Sequence, residues 1–209
     1  MAYSAVIFDI DGTLVHTMPE YRYELIGKSL KELGAKFSEK AADRFWFEGD
    51  RDAIIRECFN LEPKIFWPVF VKNDFPEMRK KSSRAYDDID IVKELRQKVC
   101  KTGIVTGAPP HVVKMNLDLI GEENYDAIVI ANYITKIKTK PHPQGLEECL
   151  NLLNVDKSEA IYVGNGDEDI MTAKNAEVDS VLLIRGEHDV PNQIPFYTIY
   201  SLHDLRKLV

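Results

Sequence analysis

Short apolar, β-branched runs alternate along this chain with segments of helical periodicity, and that alternation restricts the fold more than any other feature. Ser4 to Ile10, Thr102 to Thr106, Ala127 to Ile130, Ala160 to Val163 and Ser180 to Ile184 read as strands. Ile89 to Lys98, His111 to Ile120, Gln144 to Leu153 and Asp169 to Asn175 carry apolar residues three and four apart, as helices covering a sheet do. Strands joined through crossover helices pair in parallel, so the expected fold class is α/β with a doubly wound parallel sheet. A length of 209 residues allows one such core plus a small accessory domain.

One stretch breaks the alternation. From Thr17 to Ala85 the sequence shows only helical segments, punctuated by Gly34, Gly49, Pro63 and Pro76. An inserted α-helical domain over 17–85 is expected, with 1–16 and 86–209 forming the α/β core. Thr17, Pro19 and Glu20 give its first helix a start signal of the T-x-x-E capping-box kind, and Gly34 is placed to end it. The aromatic residues gathered here, Phe45, Phe59, Phe66 and Phe70 among them, are expected to form a small helical core. Arg79, Lys80, Lys81 and Arg84 read as a solvated helix face.

Composition excludes several classes of function. A formal net charge of -7 disfavours non-specific binding to nucleic acid, which needs a basic surface to displace phosphate counterions. No apolar run approaches the roughly 20 residues of a membrane span, and the opening residues read as a strand, not a secretion signal. Cys58, Cys100 and Cys149 are widely spaced, which argues against a disulfide framework and a zinc site. A cytoplasmic protein acting on a small molecule is expected, without nucleic acid or membrane as partner. Oligomeric state is not specified by these features.

The chemistry concentrates where the first apolar strand ends in Phe8-Asp9-Ile10-Asp11-Gly12-Thr13. A strand periodicity of two directs Asp9 and Asp11 to one side at the strand's carboxyl end, where open α/β sheets bind ligands. Two carboxylates so close repel, so they require a cation between them or a shared proton. Oxygen ligands of this kind suit magnesium.

This segment resembles the first motif of the haloacid dehalogenase superfamily of phosphohydrolases, an apolar strand followed by D-x-D-G-T. The resemblance extends over essentially the whole chain. It implies that Asp9 attacks phosphorus to form an aspartyl-phosphate, and that Asp11 protonates the leaving oxygen and later activates water. The second motif, a strand ending in Ser or Thr, matches Gly103-Ile104-Val105-Thr106-Gly107-Ala108, with Thr106 and the Gly107 amide holding phosphoryl oxygens. The third, a Lys before Pro, matches Lys140-Pro141, while Lys136 and Lys138 read as surface charges. One ammonium there offsets the charge of nucleophile and phosphate.

The fourth motif departs from the family pattern. Gly164-Asn165-Gly166-Asp167-Glu168-Asp169 carries Asn165 where the family usually places a magnesium-binding Asp, and Asp169 matches the second acidic position. The resemblance thus gives Mg2+ the ligands Asp9, Asp11 (through its main-chain carbonyl), Asn165 and Asp169, with about one unit less negative charge than usual. It also implies that 17–85 is a mobile cap which selects the leaving group, and that Gly49-Asp50-Arg51-Asp52 is its specificity loop. Arg51 there either clamps a second anion on the substrate or sits at a plain helix start capped by Asp50. A phosphatase acting on a small phosphorylated metabolite is expected. A phosphomutase, a phosphonatase using a lysine of the cap, and a catalytically weak binding homologue are the alternatives.

Overall fold

The computed structural model describes residues 3–98, 100–188 and 192–209. The chain forms two compact units, one made of Met1–His16 with Arg84–Val209 and the other of Thr17–Ser83.

The chain begins with strand β1 (Ala5–Phe8) and a short β2 (Val15–Thr17). Five helices follow, α1 (Pro19–Glu32), α2 (Glu39–Phe47), α3 (Arg51–Phe59), α4 (Pro63–Asn73) and α5 (Pro76–Ser82), then a short strand β3 (Ser83–Ala85) that pairs with β2. From α6 (Ile91–Gln97) onward the expected alternation returns: β4 (Lys101–Thr106), α7 (Pro110–Ile120), β5 (Ala127–Ile130), α8 (Gln144–Leu153), β6 (Ala160–Gly164), α9 (Asp167–Asn175), β7 (Asp179–Leu183) and β8 (Tyr197–Ile199).

The larger unit is built on a six-stranded sheet in the order β5-β4-β1-β6-β7-β8. Every neighbouring pair is parallel, with Ala5 opposite both Lys101 and Ala160. Period-two alternation divides β1 between the sheet's two faces. Val6 and Phe8 join Leu95 of α6, Leu117 of α7 and Leu202 near the carboxyl terminus in one apolar cluster. Ala5 and Ile7 face the other way, onto Leu146 and Cys149 of α8 and Ala173 of α9. Both faces being covered, β1 is apolar throughout and its neighbours are buried along nearly their whole length, which is why they read as strand runs in the sequence.

Strand β8 is absent from the sequence expectation. It is a three-residue edge strand with one exposed position, too short to show a period.

Inside the smaller unit, Tyr21, Phe45, Phe59, Phe66 and Phe70 are all buried, with Trp46 and Trp67 packed against them, so the expectation of an aromatic helical core holds. Two local expectations do not. Thr17 lies in β2 and Met18 is the N-cap of α1 without a side-chain bond, so the capping box does not form, although Pro19 does open the helix. Arg79 is not solvated: its side chain is 11% exposed, paired 3.0 Å from Asp74, and its guanidinium lies over the Tyr21 and Trp46 rings.

Candidate active site

Strand β1 is the point where the sheet changes direction of growth: β4 and β5 are added on one side, and β6, β7 and β8 on the other. Such a switch point opens a crevice at the carboxyl ends of the strands. Asp9 follows β1, Thr106 ends β4, and Gly164 ends β6. The sequence therefore brings its first, second and fourth motifs to one end of the sheet through topology alone.

The Asp9 N–H still donates to the Val163 carbonyl at 2.9 Å, but the ladder stops there. The amides of Leu14 and Val15 both turn back to the Ile10 carbonyl, at 2.8 and 3.0 Å, and Gly12 takes a φ of 79°. Asp11 consequently sits in a turn, so strand alternation is not what orients it. Its carboxylate accepts from Asn116 Nδ2 at 3.2 Å.

Lys140 reaches this carboxylate corner from the loop before α8. Its Nζ donates to Asp9 Oδ1 at 2.8 Å and to Asp169 Oδ1 at 2.6 Å, with all three side chains under 9% exposed. Burial raises the Asp9 carboxyl to about 7, against the pull of Lys140 and with the help of Asp169 and Asp11. Burial opposes the charge on Lys140, but Asp169 and Asp9 overcome it and hold the ammonium well above its usual range. Lys136 and Lys138 are exposed, as expected.

Asp169, in the first turn of α9, is fully engaged by the protein. Its Oδ2 accepts from the amides of Asn165 and Gly166, both at 3.1 Å, while Oδ1 meets Lys140 and the Tyr162 hydroxyl. The carboxylate folds back over Gly164, where an added Cβ would lie 2.3 Å from its Cγ. These bonds occupy both oxygens of Asp169 and tie it to Lys140, Tyr162 and the β6–α9 turn.

Asn165 is buried directly over Gly12: a Cβ on that glycine would lie 2.2 Å from Asn165 Nδ2. The same Nδ2 lies 3.2 Å from His188 Nε2. At the end of β4, the Thr106 hydroxyl oxygen accepts from the Ala108 amide at 3.2 Å, and Asn132 Nδ2 donates to the carbonyls of Gly107 and Ala108. The segment leading into α7 is thus fixed with Gly107 exposed.

The donors fit magnesium, with a deficit of charge. The Asp9 carboxylate, the Asp11 main-chain carbonyl and the Asn165 amide are hard oxygen donors of the kind the ion prefers. Among the described residues, no three His, Cys, Asp or Glu side chains form a metal-holding group.

Arg51 belongs to the helical unit. Asp50 caps α3 by accepting from the Ala53 amide, and Arg51 is exposed at the start of that helix, donating to the Trp46 carbonyl at 3.4 Å.

Sequence reasoning passed over Asn116, Tyr162 and His188. Asn116 had a legible signal, since it interrupts the apolar stripe formed by Val112, Val113, Leu117 and Ile120 on α7, and a polar residue at such a position needs a partner. Tyr162 is indistinguishable from a core aromatic in an apolar strand. His188 lies far along the chain from Asn165, and nothing local marks it.

Comparisons with known proteins identify the family and the fold. The model of the haloacid dehalogenase-like hydrolase family matches residues 6–183. Pyrophosphatase PpaX of Halalkalibacterium halodurans is 31% identical over 225 residues, covering 100% of this chain and 98% of that protein. Phosphoglycolate phosphatase of Aquifex aeolicus is 27% identical over 98% of this chain and 95% of its own length. Among solved structures, an HAD phosphatase from Thermococcus onnurineus has a TM-score of 0.71 at 26% identity, covering 98% of this chain and 96% of that one. A Lactobacillus plantarum protein superposes with a TM-score of 0.85 at 23% identity over the whole of both chains, a likeness of fold. The chain belongs to the haloacid dehalogenase-like hydrolase family, among its phosphatases.

Proposed function

We propose that the chain hydrolyses a small phosphate monoester, or a similarly compact phosphoanhydride, through an aspartyl-phosphate on Asp9. The observation that carries this reading is the seat of Lys140 Nζ between Asp9 Oδ1 and Asp169 Oδ1. A buried ammonium held against a carboxylate offsets two repelling anions, the nucleophile and the incoming phosphate.

The Asp9 oxygen attacks phosphorus, and the bond to the leaving oxygen breaks as the new P–O bond forms. Asp11 gives that leaving oxygen its proton. Asp11 then takes a proton from water as the water oxygen attacks phosphorus, which releases phosphate and restores Asp9. The Thr106 hydroxyl and Gly107 amide hold the non-reacting phosphoryl oxygens. Mg2+ would be held by Asp9, the Asp11 carbonyl and the Asn165 amide, whereas Asp169, also expected as a ligand, has both oxygens bonded to protein groups; the ion would supply charge stabilisation of the transferring group. Asp169 contributes by fixing Lys140. The helical unit 17–83 serves as a cap that selects the leaving group, with Arg51 as its candidate contact to a second anion. Three free thiols suit a reducing, cytoplasmic setting.

The relatives' names place phosphoglycolate and pyrophosphate first among compounds to try. The test is a Mg2+-dependent phosphate-release screen over these, sugar phosphates and nucleotides, with Asp9→Asn as control. Release by the native chain and none by Asp9→Asn is expected. No release from any compound, or equal release by both forms, overturns the proposal.

A further inference from the structure

Replacing a carboxylate with an amide at position 165 creates a requirement that a carboxylate does not have. The two ends of a carboxylate are both oxygens, whereas rotating an amide by half a turn exchanges an oxygen acceptor for an NH₂ donor, which cannot ligate a cation. The main chain of Asn165 is already fixed, its N–H donating to Asp169 Oδ2 at 3.1 Å and its side chain seated over Gly12. The remaining choice is which amide atom points where, and something must decide it.

His188 is the group that can. Its Nε2 lies 3.2 Å from Asn165 Nδ2, and in the tautomer that carries its proton on Nδ1 this nitrogen accepts an amide hydrogen. That bond commits the amide nitrogen to the histidine and leaves Oδ1 as the end available to a ligand. With the ring proton on Nδ1, the opposite orientation would set two acceptors, Oδ1 and Nε2, against each other. The segment carrying His188 is itself anchored. Arg185 donates to both Asp88 oxygens, at 2.9 and 3.0 Å, and to the Thr13 carbonyl at 2.8 Å, with its guanidinium 3.7 Å from the Tyr86 ring centre. Two residues on, Glu187 accepts from the Tyr86 hydroxyl at 2.5 Å and sits 2.6 Å from His16 Nδ1. A histidine presented from so constrained a stretch can hold its partner in one orientation.

We infer that His188 is a positioning residue for Asn165, fixing the amide so that its oxygen serves as a neutral ligand for a divalent cation beside Asp9. The inference rests on the proposed metal site, and it makes a statement about pairs of substitutions that the metal site alone does not. Outer-shell partners orient ligands, and their loss lowers metal affinity. With Asp at position 165 there is nothing left to orient.

The experiment is a double-substitution cycle read by Mn2+ binding, following the paramagnetic resonance signal of the free ion during titration, with no substrate present. His188→Ala is expected to weaken Mn2+ binding by about 10-fold in the native chain. In an Asn165→Asp background, which is expected to bind Mn2+ more tightly, His188→Ala should leave the affinity within about twofold. His188→Gln, whose amide oxygen can accept the same hydrogen, should restore most of the loss, and it serves as the second variant where His188→Ala does not fold. Unchanged affinity on His188→Ala in the native chain, or an equal loss in both backgrounds, overturns the inference while leaving the metal site standing. Failure of both the native and Asn165→Asp proteins to bind Mn2+ refutes the metal site, and the inference falls with it.

Discussion

Lys140 Nζ lies 2.8 Å from Asp9 Oδ1 with both side chains nearly sealed from solvent, so the proposed nucleophile and the cation that offsets its charge form one buried unit. Removing the cation leaves Asp9 and Asp169 facing each other uncompensated. Lys140→Met should lower kcat by at least about 10²–10³-fold, the range seen when a single preorganised charge-stabilising donor is lost. It should also destabilise the fold by about 3–5 kcal/mol, as breaking a buried pair does. Lys140→Arg should not rescue activity, because a planar guanidinium does not fit the seat of a point charge. Phosphate release and thermal melting, measured on the same preparations, check both parts.

The burial that raises Asp9 also costs the folded state something. Its carboxyl moves from an ordinary 3.8 to about 7 in the fold, so the folded chain holds that proton more tightly than the unfolded chain does. Stability from this group is therefore greatest below about pH 4 and declines as pH rises through about 7. Asp9→Asn removes the titration. Its melting temperature relative to the native protein should rise across that interval, with the larger gain at pH 8 and little difference at pH 4. A difference that does not vary with pH would contradict the assignment.

Gly12 answers two demands at once. Its φ of 79° is one that side chains resist, and a Cβ there would lie 2.2 Å from Asn165 Nδ2. Gly12→Ala should cost about 1–3 kcal/mol from backbone strain alone. It should also displace Asn165, raising the Mg2+ concentration needed for half-maximal phosphate release. Denaturant unfolding and a Mg2+ titration separate the two effects, and an alanine variant unchanged in both would show that neither demand is real.

Much of this was legible in the sequence because it depends on strong local patterns. The buried strands of a parallel sheet are apolar on both faces, so β1, β4, β5, β6 and β7 stand out within a residue or two of their ends. Asp9, Thr106 and Asn165 lie at the ends of such runs, and a parallel sheet brings those ends together. What remained hidden depends on tertiary partners. Asp169 matches a motif position, but its engagement by Lys140, Tyr162 and two amides follows from the fold of the β6–α9 turn. Thr17 could have capped α1, yet pairing in the β2–β3 ribbon claims it. Arg79 sits in a run of basic residues that resembles a solvated face, and only the packed helices reveal Asp74 and the rings beneath it.

Arg51 tests the proposal that the helical unit selects the substrate. Its present contacts are those of an exposed helix start, so Arg51→Ala should leave stability within about 0.5 kcal/mol. If the side chain clamps a second anion, the variant should raise KM severalfold for a substrate carrying a carboxylate or second phosphate, and leave KM unchanged for a simple phosphate ester. Equal kinetics for both substrate types would assign Arg51 to the helix start alone.

The proposed covalent role of Asp9 is open to direct observation. Rapid quenching in acid during turnover, followed by peptide mass analysis, should find one phosphoryl group on the peptide containing Asp9. The adduct should accumulate further in Asp11→Asn, where water lacks its base, and be missing in Asp9→Asn. Steady phosphate release with no adduct on Asp9, or an adduct on another residue, would contradict the account.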